Sequence, residues 1–369
     1  MAISSRGQSA SGRKEGVPMT PVERVKAVYH RETPDYVPFT IYETKVKGRP
    51  YEKELMDLDI CCIRRLSSYD FVQEGDVTKE TQKTVLPGGR RIERTVTHTP
   101  CGDLTKTEEY DAITSWTREF PFKDEDDYEK LFYLFDHQRA VSNYEAVKPA
   151  WEEDQKNGTV LARSHLPHEP VSDLLGYIMG PENYCYEWMD NREMVTELIE
   201  RMRRVYRQSY EIVAGDPFEI VNFGGNPTPE IIGRDGYRDF YMREYADAYA
   251  VIHPAGKLLG THLDGCNGPI MDMIAQAKLD YIEAYDPAMS PGVGEATRLF
   301  GDRLLSLHFP SAWQMHDEKQ IVRDTIGLIE AAKDPRRLII GITEDAPMNR
   351  YVPLVRGIMT GIREFGPLK

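Results

Sequence analysis

The chain is poor in cysteine. Five are present among 369 residues, at 61, 62, 101, 185 and 266, and no Cys-x-x-Cys pair occurs. An odd, scattered set argues against a disulfide framework and for free thiols in a reducing, cytoplasmic setting. Long apolar runs are also missing: nothing approaches the ~20 consecutive apolar residues of a membrane span, and mean hydropathy is −0.53. Positive charge is in deficit, with 46 basic against 60 acidic residues and a formal charge of −14. Such a surface repels phosphate backbones and anionic lipid, which argues against nucleic acid and membranes as partners. Neither Gly-x-Gly-x-x-Gly after a strand nor Gly-x-x-x-x-Gly-Lys-Ser/Thr occurs, so nucleotide binding has no local support. The serine elbow Gly-x-Ser-x-Gly is absent too.

What is present suits one large α/β domain, since 40% hydrophobic content can bury a large core. Residues 1–18 are rich in Ser, Gly and Arg without apolar periodicity and read as a disordered or tag-like extension. The domain proper then covers 19–369. It opens on a helix, with Thr20 as cap, Pro21 in the first turn, Glu23 at capping-box spacing, and Val22, Val25 and Val28 on one face.

From VPFTIY onward, short β-branched runs alternate with amphipathic stretches: VLARSH (160–165), EIVNFGG (219–225), KLLGTHLDG (257–265), YIEAYDP (281–287), LLSLHF (304–309) and LIIGIT (338–343). With VPFTIY and YDFVQEG the count reaches eight, which predicts a (β/α)8 TIM barrel. Residues 77–111 break the alternation with Thr, Val and charge around a Pro-Gly-Gly turn, and read as an inserted β-hairpin near the barrel entrance.

Parallel barrels place their chemistry at the carboxyl ends of the strands. The residues closing these runs are His165, Asn222, His262, Asp264, Asp286, His308 and Glu344. Any one of them can be a helix cap or a satisfied loop residue; several converging on one mouth point to a site. Tyr42, Phe223, Tyr285 and Trp313 lie near strand ends and offer walls for an aromatic ring, although aromatic residues more often fill cores. His165, Asn222, Tyr285, His308, Tyr42 and Trp313 are the expected substrate-binding set.

The segments MTPVERVKAVYHRETPDYVP, NFGGNPTPEIIGRDGYRDFY (222–241), GTHLDG and GITEDAP (341–347) resemble the uroporphyrinogen decarboxylase-like superfamily, and within it the corrinoid (cobalamin)-dependent methyltransferases. The resemblance spans nearly the whole chain after residue 18 and implies a barrel with its cavity at the carboxyl ends. True uroporphyrinogen decarboxylases carry an Arg-Gln-Ala-Gly-Arg type segment early. Here the region after VPFTIYE reads TKVKGRPYEKE, which disfavours uroporphyrinogen decarboxylation.

The thiol-methylating branch implied by that resemblance holds zinc by His-x-Cys and a later Cys. This chain keeps His262, but Asp264 takes the first cysteine's place and Glu344 stands near where the second would fall. A zinc on His262, Asp264 and Glu344 with one open position is chemically reasonable, and the same three residues are the expected catalytic set. The alternative is that His262 and Asp264 bond each other without metal. Oxygen ligands leave the ion a stronger Lewis acid toward an oxygen substrate, so the reading is an O-demethylase component: a methyltransferase that moves a methyl group from a methyl ether, aromatic by preference, to a cobalt(I) corrinoid. The carrier signature Asp-x-His-x-x-Gly is matched only by VIHPAG (251–256), with Val251 in the aspartate's place, so the cobalamin is expected on a partner carrier protein. The rival readings are a metal-dependent barrel hydrolase, whose early His-x-His pair is missing, and a non-catalytic barrel that binds a tetrapyrrole or a partner protein. The sequence does not fix an oligomeric state; a homodimer is compatible with it.

Overall fold

The computed structural model describes residues 18–111 and 114–369, so all of the expected extension except Pro18 lies outside the described residues. Helix α1 (Pro21–Tyr29) starts where the capping box predicts. Thr20 Oγ1 accepts from the Glu23 amide at 3.2 Å, and Glu23 Oε2 accepts from the Thr20 amide at 2.8 Å.

Among the described residues fourteen strands follow: β1 (Phe39–Tyr42), β2 (Cys61–Leu66), β3 (Tyr69–Gln73), β4 (Thr78–Val85), β5 (Arg91–Thr99), β6 (Gly102–Tyr110), β7 (Ser115–Glu119), β8 (Gln138–Ser142), β9 (Val160–His165), β10 (Ile220–Phe223), β11 (Leu258–His262), β12 (Tyr281–Tyr285), β13 (Leu304–His308) and β14 (Leu338–Ile342). Eight of them close a parallel barrel in the order β1-β14-β13-β12-β11-β10-β9-β2, with helices around it. Tyr42, Ile63, Leu161, Ile220, Tyr281, Leu304 and Ile339 come from different barrel strands and touch one another, which they can do only inside the barrel. Val25, Val28 and Tyr29 of α1 join that layer and plug the amino-terminal end. Each of the two valines is fully buried and contributes roughly 1.5–3 kcal/mol.

Two expectations need correction. YDFVQEG is not a barrel strand, because β3 pairs antiparallel with β8 outside the barrel. The place belongs to β2, whose sequence CCIRRL carries two adjacent arginines that mask its apolar character. The insertion is also larger than a hairpin over 77–111: β4 to β7 form a four-stranded antiparallel sheet from Thr78 to Glu119.

One irregularity in the barrel matters for the site. Against β13, Ile282 lies opposite Leu305 and Tyr285 opposite Leu307, so β12 holds one residue more than its neighbour. The surplus sits at Ala284, whose φ of 60° is left-handed and costs a non-glycine residue about 1–2 kcal/mol. Tyr281 and Glu283 face the interior, whereas Tyr285 packs edge-on against Phe300 in the layer between barrel and helices. No helix among the described residues is long and apolar enough to cross a membrane.

Candidate active site

A cavity of about 590 Å³ opens at the carboxyl ends of the barrel strands. Its walls come from alternate residues, as the strand pleat dictates: Ile63 and Arg65 on β2, Arg163 and His165 on β9, with one residue each from β10 and β11, and Thr343 and Glu344 follow from the loop after β14. This volume suits a small molecule.

The floor is a buried chain of charges. Arg163 Nη1 lies 2.7 Å from Glu283 Oε1 and Arg163 Nη2 donates to Glu283 Oε2 at 2.8 Å, both side chains at most 5% exposed. The Tyr42 hydroxyl donates to Glu283 Oε1 at 3.2 Å and Asn222 Nδ2 to Glu283 Oε2 at 3.0 Å. His262 continues the chain, with Nδ1 3.4 Å from Glu283 Oε2 and Nε2 3.5 Å from Glu344 Oε1. Burial opposes charge on His262, but Glu283 and Glu344 outweigh it and raise its pKa to about 9. The imidazole is therefore an imidazolium at neutral pH. Burial likewise opposes charge on Glu283, and Arg163 with His262 overrides it, holding the carboxyl well below the usual carboxylate range. Glu344, 39% exposed, is lowered chiefly by its contact with His262.

His165 is the opposite case. Burial, then the charges of Arg65, Arg163 and His168, push it down to about 4, so it is neutral. Its Nδ1, together with Asn222 Oδ1 and Arg163 Nε, is buried without a hydrogen-bond partner. Orphaned buried polar atoms cost about 1–3 kcal/mol each and are rare in native proteins. Three on the floor of one cavity mark it as a polar site with a donor and two acceptors left for water or a bound molecule.

Of the expected substrate-binding residues, Tyr42, His165 and Asn222 line this cavity. Tyr285, His308 and Trp313 do not. The surplus residue at Ala284 turns Tyr285 away, and its hydroxyl donates to the Pro291 carbonyl at 2.5 Å. His308 is fully buried beneath the turn Ser311–Met315, with Nε2 2.9 Å from Ser311 Oγ while Nδ1 accepts from the Thr343 amide at 3.2 Å. Burial lowers its pKa to about 4. Trp313 packs edge-on against Phe309. The insertion does not close the mouth either, since no residue of 77–111 lines the cavity.

The expected zinc set is only partly assembled. His262 and Glu344 meet, but Asp264 is outside the lining and its Oδ1 accepts from the adjoining Gly265 amide at 2.8 Å. Burial, then Glu344, raises the Asp264 pKa. Among the described residues no group of three or more His, Cys, Asp and Glu is placed to hold a metal ion. His262 and Glu344 are thus two of the three expected ligands, and the third does not join them.

Sequence reasoning missed Glu283, Arg163, Arg65 and Lys45. The first two were legible as charges interrupting apolar strands, in YIEAY and VLARSH, where an unpaired charge is too costly to bury.

No family model matches the chain, and no curated protein matches it. Among solved structures, a methyltransferase from Methanosarcina mazei is similar, with 13% identity over 94% of this chain and 99% of that one and a TM-score of 0.57. At that identity the likeness carries the fold. A sugar phosphate isomerase/epimerase from Parabacteroides distasonis matches at 12% identity, 59% of this chain and 93% of that one, with a TM-score of 0.32 that supports no argument.

Proposed function

We propose that the protein is a methyltransferase acting as an O-demethylase component: it moves a methyl group from the oxygen of an aromatic methyl ether to a cobalt(I) corrinoid presented by a partner protein. The observation that carries this reading is the imidazolium of His262 at the cavity surface, charged by Glu283 behind it and Glu344 beside it. A methyltransferase with the same fold lends support.

The chemistry asks for such a group. An ether methyl is inert because its leaving group is a poor phenoxide, and proton delivery to the ether oxygen lowers that cost. The corrinoid, as co-substrate, supplies the nucleophile. The carbon–oxygen bond breaks with its electron pair left on oxygen, and His262 Nε2 gives that oxygen its proton. Glu344 holds the Nε2–H toward the cavity and shuttles the replacement proton from solvent, to which it is partly open. Glu283, anchored by Arg163, keeps the ring charged and oriented. In this scheme the acid at the ether oxygen is the imidazolium. A corrinoid is far larger than a methoxyarene and lies across the mouth in this scheme, with the arene inside.

The test is methyl transfer from a panel of methoxyarenes to cobalt(I) corrinoid, followed by the corrinoid absorbance and by loss of the ether. Thiol methylation with every ether untouched, or ester or amide hydrolysis in the absence of corrinoid, overturns the reading.

A further inference from the structure

The cavity surface carries five basic side chains besides the floor's neutral His165, and four already face a carboxylate. Lys45 Nζ lies 2.5 Å from Asp345 Oδ1, Arg163 is held by Glu283, His168 Nδ1 lies 2.7 Å from Asp173 Oδ1, and His262 sits between Glu283 and Glu344. Arg65 is the exception. Among the described residues it has no hydrogen bond and no ion pair, although its neighbour Arg64 is clamped by Glu43. Its guanidinium carbon lies 4.3 Å from the centre of the Tyr42 ring.

That contact has a geometric consequence. A guanidinium stacked on an aromatic face keeps its N–H groups in its own plane, directed past the ring, where they match a carboxylate edge in two parallel bonds. The same tyrosine carries its hydroxyl to within 3.4 Å of His262 Nδ1. Tyr42 therefore has the free cation over its ring and the imidazole at its hydroxyl, which places both groups at one end of the cavity. The depression of His165, to which Arg65 contributes, registers the same positive potential.

We infer that Arg65 binds an anionic group of the substrate, so that the preferred ether is a methoxyarene bearing a carboxylate. This rests on the O-demethylase reading for the methyl group, but the anion site itself does not. The alternative occupant of the guanidinium is water alone.

The experiment is calorimetric titration of the full chain at low ionic strength with the three methoxybenzoate isomers, the corresponding methoxybenzamides, and para-hydroxybenzoate, which has no methyl to lose. At least one methoxybenzoate is expected to bind on the order of 10- to 100-fold more tightly than its amide, the range of a charge-assisted bidentate contact. Arg65→Met should abolish that difference while leaving amide binding within about threefold, and Arg65→Lys should restore part of it. Equal affinities for acid and amide, a difference that survives in Arg65→Met, or no binding by any acid overturns the inference. The two readings separate cleanly. Arg65-dependent binding of para-hydroxybenzoate with no demethylation of any ether sinks the methyl-transfer reading and keeps the anion site. Demethylation of anisole as fast as of any methoxybenzoate, unchanged in Arg65→Met, does the reverse.

Discussion

His262 and Glu344 face each other across the barrel mouth, Nε2 to Oε1 3.5 Å, from β11 and the loop after β14, which are separated in the barrel by two intervening strands. If this pair delivers the proton, Glu344→Gln should slow methyl transfer by a factor on the order of 10². The Kd for the arene should change by much less. Single-turnover kinetics beside a binding titration measure both, and a parental rate in the variant contradicts the assignment.

The rate should also fall in alkali. His262 acts in its protonated form, and its pKa is raised to about 9, so kcat/KM is expected to hold steady around neutrality and decline as pH rises through about 9. Replacing Glu283 removes its main support, and Glu283→Gln should move that decline toward lower pH.

The same group links stability to pH. An unfolded histidine titrates near ~6.5 and His262 has a higher folded value, so its stabilisation is complete below pH ~6.5 and is lost as pH climbs through about 9. Glu283 is shifted the other way, and its contribution disappears only in strong acid. Denaturant midpoints measured from pH 6 to pH 10 should fall, and a flat profile would contradict the buried imidazolium.

Breaking the floor should cost more than breaking the mouth. Glu283→Ala leaves the guanidinium of Arg163, itself 4% exposed, without its counter-charge, and removal of one partner from a buried pair typically costs about 3–5 kcal/mol. Chemical unfolding of this variant beside Glu344→Ala, whose side chain is partly solvated, measures the difference.

Gly260 offers a steric test of how β11 holds His262 two residues later. A Cβ there would lie 2.2 Å from Cε2 of Tyr281, whose hydroxyl donates to the Val221 carbonyl at 2.8 Å. Gly260→Ala should destabilise the fold by about 1–3 kcal/mol, read as a lowered Tm, and should displace the imidazole enough to reduce methyl transfer as well.

Seven barrel strands were legible because each is an apolar run closed by a polar residue, and α1 because its cap is written in four residues. β2 was not, since the residue types that make it useful, Arg64 and Arg65, are those that disguise a strand. For the site, strand-end position located Tyr42, His165, Asn222, His262 and Glu344 at one mouth. Glu283 lies within its strand, one residue before a backbone irregularity that no side-chain pattern announces, and so strand ends alone could not reveal it. Asp264 was misplaced for a related reason: its Oδ1 is satisfied by the next amide in its own loop, a local choice that competes with any longer-range ligand.

The surplus residue in β12 makes the contents of the cavity a matter of counting. Ala284 is the step at which the inward parity of Tyr281 and Glu283 ends, and beyond it Tyr285 belongs to the outer layer. Deleting that one alanine would restore strict alternation with Tyr285 directly after Glu283, on the outer face it already occupies, so the chamber would keep its side chains and the strand would lose only its left-handed step. Inserting or removing a residue of the main chain is thus a change that exchange of one amino acid for another does not reproduce.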